Sequence, residues 1–179
     1  MRWEKRHEVA RSSSPLASIA LLPDAAAASD LALDVACGQG RHALALAEKG
    51  YRVVAADVSR HALAHLRSRT RYPAGRVLPV QVDLDAWPFR NGAFDVIVQT
   101  DFLDRQLLPV LADALRCGGM LLIDTFLAAA HPNAEGPSNP DYILRRNELP
   151  AIYSHLDLLH YCEVDGATAR ARLLARRTR

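Results

Sequence analysis

The stretch LALDVACGQGRHALALAEKG, residues 31–50, constrains this chain more than any other. Its first six residues are an apolar run between Ser29-Asp30 and a glycine-rich segment, the pattern of a buried strand. Gly38 and Gly40 then let the backbone turn sharply. Beyond them Ala43, Leu44, Leu46 and Ala47 share one helical face, and Gly50 marks a helix stop. A strand that turns through glycines into a helix is the opening unit of a parallel sheet covered by helices.

The rest of the chain repeats that rhythm. YRVVAADV predicts a strand ending near Asp57, and Ser59 can cap a helix to about residue 70 that buries Ala62, Leu63 and Leu66. RVLPVQVD predicts a strand ending at Asp83. After the Asn91-Gly92 turn come a strand, AFDVIVQT, and a helix over residues 103–116 that Gly118-Gly119 ends. MLLIDTF is a further buried strand. Residues 128–141, rich in proline, are a long loop; 147–155 are a short helix; and HYCEV with ATARARLLARR form a last hairpin around Asp165-Gly166. The expected fold is α/β: a Rossmann-like, doubly wound, mostly parallel seven-stranded sheet with a C-terminal antiparallel hairpin strand. At 179 residues the chain is expected to be one domain.

In such sheets ligands bind beyond the carboxyl ends of the strands. Three of those ends carry an acid: Asp34, Asp57 and Asp83. The loop fits the loose G-x-G-x-x-A dinucleotide pattern, but Asp34 beside it would repel a pyrophosphate and favour an ammonium group. Asp57 stands where an acid accepts the hydroxyls of a ribose, and Asp83 where one accepts an adenine amino group. S-adenosylmethionine carries all three groups. The alternative is that each acid is a turn or cap residue.

The same residues resemble the class I S-adenosylmethionine-dependent methyltransferases. LALDVACGQGRHALALAEKGYRVVAADVS is similar to the first two motifs of that superfamily, and FDVIVQTDFLDRQLLPVLADALRCGGMLLIDTF to the fourth motif through the strand after Gly-Gly. Cys-Gly-x-Gly-Arg, the late NPDYILRRNELPAIYSHLDLLHYCE and the opening WEKRH resemble the tellurite-resistance, TehB-type branch. The resemblance implies a cofactor core over about 30–127, and the long loop at the carboxyl edge makes about 128–147 the candidate acceptor lid. It implies that Asp34, Ala36, Cys37, Gly38 and Gly40 hold the methionine part. Asp57 and Val58 would hold the ribose, Asp83 and Leu84 the adenine, and Gln99 and Thr100 the floor under the sulfonium. Arg41 would meet the methionine carboxylate or build the pocket. The last hairpin turns at once through Val164-Asp165-Gly166-Ala167 and lacks the branch's His-Arg pair, so tellurite or selenite methylation is not expected.

The implied function is methyl transfer from S-adenosylmethionine to a small molecule, leaving S-adenosylhomocysteine. The rival readings are a non-catalytic cofactor-binding regulator or partner and a nicotinamide oxidoreductase. Asp101, Phe102, Arg105, His131, Asn139 and Tyr142 are candidate acceptor contacts; no residue is assigned as base or metal ligand. Cys37 reads as a small loop residue rather than a nucleophile. The cysteines Cys37, Cys117 and Cys162 have no disulfide or metal spacing, which suits a cytoplasmic protein. A net charge of +2 and no long apolar run leave nucleic acid and membrane unexpected as partners, and a monomer or homodimer is expected. The 22 basic residues are 20 Arg and only 2 Lys, which reads as composition, with terminal arginines on a solvated strand face.

Overall fold

In the computed structural model, described over residues 14–69, 76–130 and 135–178, seven strands form one sheet. They are β1 (Leu31–Val35), β2 (Arg52–Asp57), β3 (Val77–Gln81), β4 (Phe94–Thr100), β5 (Leu115–Phe126), β6 (Asp157–Val164) and β7 (Arg170–Arg176). Their order is β3-β2-β1-β4-β5-β7-β6. Pairs among β1 to β5 are parallel, and β7 runs antiparallel between β5 and β6. The order reverses at β1, so the crevice beyond β1 and β4 is the switch point where such sheets take ligands.

Two apolar cores sandwich the sheet. On one face α1 (Arg41–Glu48), α2 (Arg60–Arg69) and a 3-10 turn over Ala17–Leu21 pack Ile19, Leu22, Leu46, Leu63 and Leu66 onto Ala32, Val98 and Leu122. On the other, α3 (Leu107–Ala114) and α4 (Glu148–Ile152) pack Leu108, Leu111, Leu149 and Tyr153 onto Leu33, Ile97 and Ile123. Each fully buried Leu of this kind contributes roughly 1.5–3 kcal/mol of transfer free energy. Tyr153 reconciles its polar tip with burial by donating to the Leu108 carbonyl at 2.7 Å.

Three expectations change. The helix expected over 103–116 spans only Leu107–Ala114, and the chain is extended from Leu115. Asp104 terminates it early at the front: its carboxylate takes the Gln106 N–H at 2.8 Å and its carbonyl the Leu107 N–H. At the back, Ala93 and Gly92 donate to the Ala114 and Asp113 carbonyls, and Arg177 donates to those of Ala112, Asp113 and Leu115. Gly118-Gly119 therefore lies within β5. The strand expected to reach Asp83 ends at Gln81, and Asp83 caps the 3-10 turn Leu84–Ala86 by accepting from the Asp85 N–H at 3.1 Å. Arg170 and Arg172, expected on a solvated face, point instead at the buried Asp124.

Candidate functional site

The site begins where β1 ends. Ala36, Gly38 and Gly40 all adopt left-handed backbone, with φ of 53°, 54° and 77°. Gly38 and Gly40 do so freely, whereas Ala36 carries a strain of roughly 1–2 kcal/mol. The alternation coils the backbone into a tight loop and delivers it into α1. Gly40 is required for a second reason: a Cβ there would stand 2.4 Å from Leu66 Cδ1 on α2.

Two carboxylates pin this loop. Asp34 is 1% exposed and accepts the Ala43 N–H at 2.8 Å, doing for α1 what a side-chain cap normally does. Its other oxygen, Oδ1, meets no donor. Burial drives its pKa up to about 7, Asp57 adds to the rise, and the Ala43 amide and Arg41 only partly oppose it. Asp57 bridges β2 to the loop: Oδ2 accepts the Gly38 N–H at 2.7 Å and Oδ1 the Ser59 N–H at 2.8 Å. Ser59 then caps α2 through the Ala62 N–H. Cys37 is buried between these acids, and burial first, then both negative charges, push its thiol well above the usual range. It stays a thiol, donating weakly to the Gly38 carbonyl.

Beside the loop the Asp57 carbonyl takes the Val82 N–H, which leads the chain to Asp83 and Leu84. Asp83 is exposed, Val58 half-buried and Leu84 buried, so an acid and two apolar side chains border the same edge. A buried Asp34 with an orphaned oxygen, a loop with no Cβ at Gly38, and the Asp57 and Asp83 carboxylates fit the ammonium, ribose and adenine of S-adenosylmethionine. Carboxylate oxygens that already accept an amide keep lone pairs for a hydroxyl.

The opposite wall is the end of β4. Gln99 is fully buried; it donates to the Phe102 carbonyl at 3.0 Å and leaves Oε1 without a partner. Thr100 Oγ1 lies 3.0 Å from His42 Nδ1. His42 Nε2 accepts the Leu16 N–H at 3.2 Å, so Nδ1 carries the proton and donates to Thr100. Burial, helped by Arg41, holds His42 down at about 4. Asp101 is left-handed at φ 52° and forms a 2.5 Å ion pair with Arg41, which also donates to the Ser14 carbonyl. Arg41 thus joins the glycine loop to the end of β4. The histidine–threonine contact has no signature in the linear sequence, because 58 residues separate its partners.

Of the candidate acceptor contacts, Asp101 and half-buried Phe102 lie at the β4 end. Arg105 is drawn into the frame of the loop. It donates to Glu148 through Nε at 2.6 Å and Nη2 at 3.0 Å, to the Asp141 carbonyl at 2.9 Å and to the Ile143 carbonyl at 2.8 Å. Asn139 caps a turn by accepting the Asp141 N–H, with Tyr142 half-buried in that turn. Residues 127 and 144 pair as an isolated parallel bridge that closes the base of the loop. His131 lies outside the described residues. Among the described residues no cluster of histidine, cysteine, aspartate or glutamate could hold a metal ion, and no helix is long and apolar enough to cross a membrane.

Known proteins bear on this geometry in three ways. Residues 32–119 match the family model described as a methyltransferase domain. Probable S-adenosylmethionine-dependent methyltransferases of two Mycobacterium tuberculosis strains are 29% identical over 158 residues, covering 84% of this chain and 53% of theirs, so the chain spans about half their length. Among solved structures, TehB from Haemophilus influenzae superposes with a TM-score of 0.70 at 26% identity, covering 83% of this chain and 58% of that one. An S-adenosylmethionine-dependent methyltransferase from Methanosarcina mazei superposes with a TM-score of 0.70 at 17% identity, over 92% of this chain and 98% of its own, a likeness of fold.

Proposed function

We infer from a chain that resembles the class I S-adenosylmethionine-dependent methyltransferases in fold and motifs that it is an enzyme of that kind, acting on a small-molecule acceptor. The observation that carries this is the loop Ala36–Gly40 held between Asp34 and Asp57, with an unsatisfied Asp34 oxygen at its base. When bound, S-adenosylmethionine supplies a methyl group already activated on a sulfonium. The residues of the chain then have three tasks. Asp34 and the loop hold the amino-acid end, with Arg41 beside them. Asp57, Val58, Asp83 and Leu84 hold the nucleoside. Thr100, Asp101 and Phe102 bound the space in which an acceptor nucleophile lines up behind the methyl for in-line displacement.

Among the described residues no side chain at the β4 end is poised as a base. Both nitrogens of His42 are engaged, and Asp101 is held by Arg41. This suits an acceptor that attacks as a thiolate or neutral amine, or one that ionises before it binds. Residues 128–147 serve as the lid, framed by Arg105, and the work is cytoplasmic. Isothermal titration with S-adenosylhomocysteine and with NAD tests the reading. Micromolar binding of the homocysteine compound alone is expected; NAD binding without it would overturn the assignment. A methyl-transfer screen over thiols, amines and small acids separates an enzyme from a non-catalytic binder.

A further inference from the structure

Behind the β4 end Arg41 and Asp101 continue into a chain of charges whose far members, Arg170, Asp124 and Arg172, have no role above. It runs Arg41–Asp101–Arg170–Asp124–Arg172. Arg170 Nη2 stands 2.8 Å from Asp101 Oδ1 as an ion pair, its Nε donates to Asp124 Oδ1 at 2.7 Å, and Arg172 Nε donates to Asp124 Oδ2 at 2.9 Å. Arg170 also donates to the Asp124 carbonyl and lies over the Phe126 ring at 5.3 Å. Asp124 is fully buried. Burial works to raise its pKa, but Arg170, Ser18 and Arg172 outweigh it and hold the carboxyl ionised.

The chain contains three guanidinium groups and two carboxylates, and His42 beside it is neutral, so one positive charge is in excess. That excess falls at one end. Arg41 has both Asp101 and the Ser14 carbonyl. Arg172 has only its Nε engaged, and its two Nη groups meet no partner among the described residues. Its side chain is 30% exposed, so the free edge is reachable yet partly desolvated. Two parallel N–H groups on that edge match the two oxygens of a carboxylate. A partly desolvated cation with no counter-charge of its own gains from an anion that joins it.

Arg172 also lies in the right place. Thr100 registers with Asp124, and Asp124 with Arg172. At about 4.8 Å between strands, the Arg172 backbone is roughly 10 Å from that of Thr100, with the buried Asp124 between them, so an acceptor of small-acid size would have to lie over that row rather than in it.

We propose that the free edge of Arg172 is the acceptor subsite: it binds the carboxylate, or the equivalent phosphate, of an anionic small-molecule acceptor whose nucleophile reaches toward Thr100. This rests on the methyltransferase reading for its function, while the anion site stands on geometry alone.

The test is an NMR titration of arginine Nε–H resonances in the full chain saturated with S-adenosylhomocysteine, with Arg172 assigned by its loss in R172K. Benzoate, benzamide and inorganic phosphate are the probes. Benzoate should shift the Arg172 resonance saturably while benzamide does not; phosphate shows whether a tetrahedral anion serves as well. In the methyl-transfer screen, accepted compounds should be anions, and R172Q should raise their KM 10- to 100-fold with kcat changed far less and the dissociation constant of S-adenosylhomocysteine unchanged. If neither anion shifts Arg172, or if benzamide shifts it as benzoate does, the subsite is refuted. Failure of S-adenosylhomocysteine to bind would instead refute the cofactor reading, and the anion titration would still be scored on the free protein.

Discussion

Replacing Asp34 with Asn removes the ionisable group that the glycine loop is built around and keeps an oxygen for the Ala43 N–H. In the folded chain burial raises the Asp34 pKa from 3.8 to about 7. The folded state therefore binds more protons than the unfolded state between those values, and stability falls as pH rises through that window. Three pKa units correspond to a ceiling of about 4 kcal/mol lost by pH 8. Asn avoids this loss but buries an amide N–H where Oδ1 has no donor, a cost of about 1–3 kcal/mol. D34N should thus be more stable than the parent at pH 8 by about 1–3 kcal/mol and lose that advantage near pH 4. Urea unfolding of both proteins across pH 4–8 measures the difference. The cofactor supplies a second readout. At pH 6.5 a group with a pKa near 7 is about three-quarters protonated, so an ammonium seated on Asp34 should release about 0.75 proton on binding. Calorimetry of S-adenosylhomocysteine in buffers of different ionisation enthalpy reads that proton directly, and D34N should bind more weakly and release none. A stability difference independent of pH, or equal proton release by both proteins, would refute the reasoning.

The same pH series exposes His42, whose folded pKa is lowered to about 4. Its neutral form stabilises the fold above pH 6.5, and that contribution is lost as pH falls toward 4, so it opposes Asp34; D34N should show a steeper loss of stability on acidification than the parent, and H42Q should flatten it. Gly40→Ala should cost at least 1–3 kcal/mol, through Leu66 and the φ of 77°, seen as a fall in urea midpoint. Asp57→Ala should weaken S-adenosylhomocysteine by about 1–3 kcal/mol in calorimetry; unchanged affinity would remove the ribose assignment. Arg105→Leu should speed amide hydrogen exchange over residues 139–148 while leaving α1 protected, because its guanidinium is what ties the Asp141 and Ile143 carbonyls to Glu148.

The sheet and the glycine loop were legible because their determinants are local. An apolar run, two glycines and an acid within ten residues specify a strand, a turn and a helix start with little help from the rest of the chain. Arg41 and Asp101, or His42 and Thr100, were visible only as single residues of fitting type; their pairing depends on β1 and β4 lying side by side, which no local pattern states. Arg105 illustrates the opposite case. Its place after β4 suggested an acceptor contact, but four hydrogen bonds from its guanidinium go to one carboxylate and two carbonyls some 40 residues on. The abundance of arginine concealed the few that matter. Arg170 and Arg172 differ from Arg176 only in register, and register decides that they meet Asp124 while Arg176 meets the exposed Asp157.

The position of β7 also governs the order in which the fold can be completed. It enters between β5 and β6, so β6 can join the sheet only through it. During synthesis the long edge of β5 stays open until residues 170–176 emerge, a stretch of unpaired backbone that invites pairing with other chains. Asp124 stands in the middle of that edge. Until Arg170 and Arg172 arrive it is an unmatched charge among Leu121, Leu122, Ile123 and Phe126, the kind of inward charge that disfavours pairing of an edge with a wrong strand. The two arginines that later neutralise it make the correct strand the one the edge accepts.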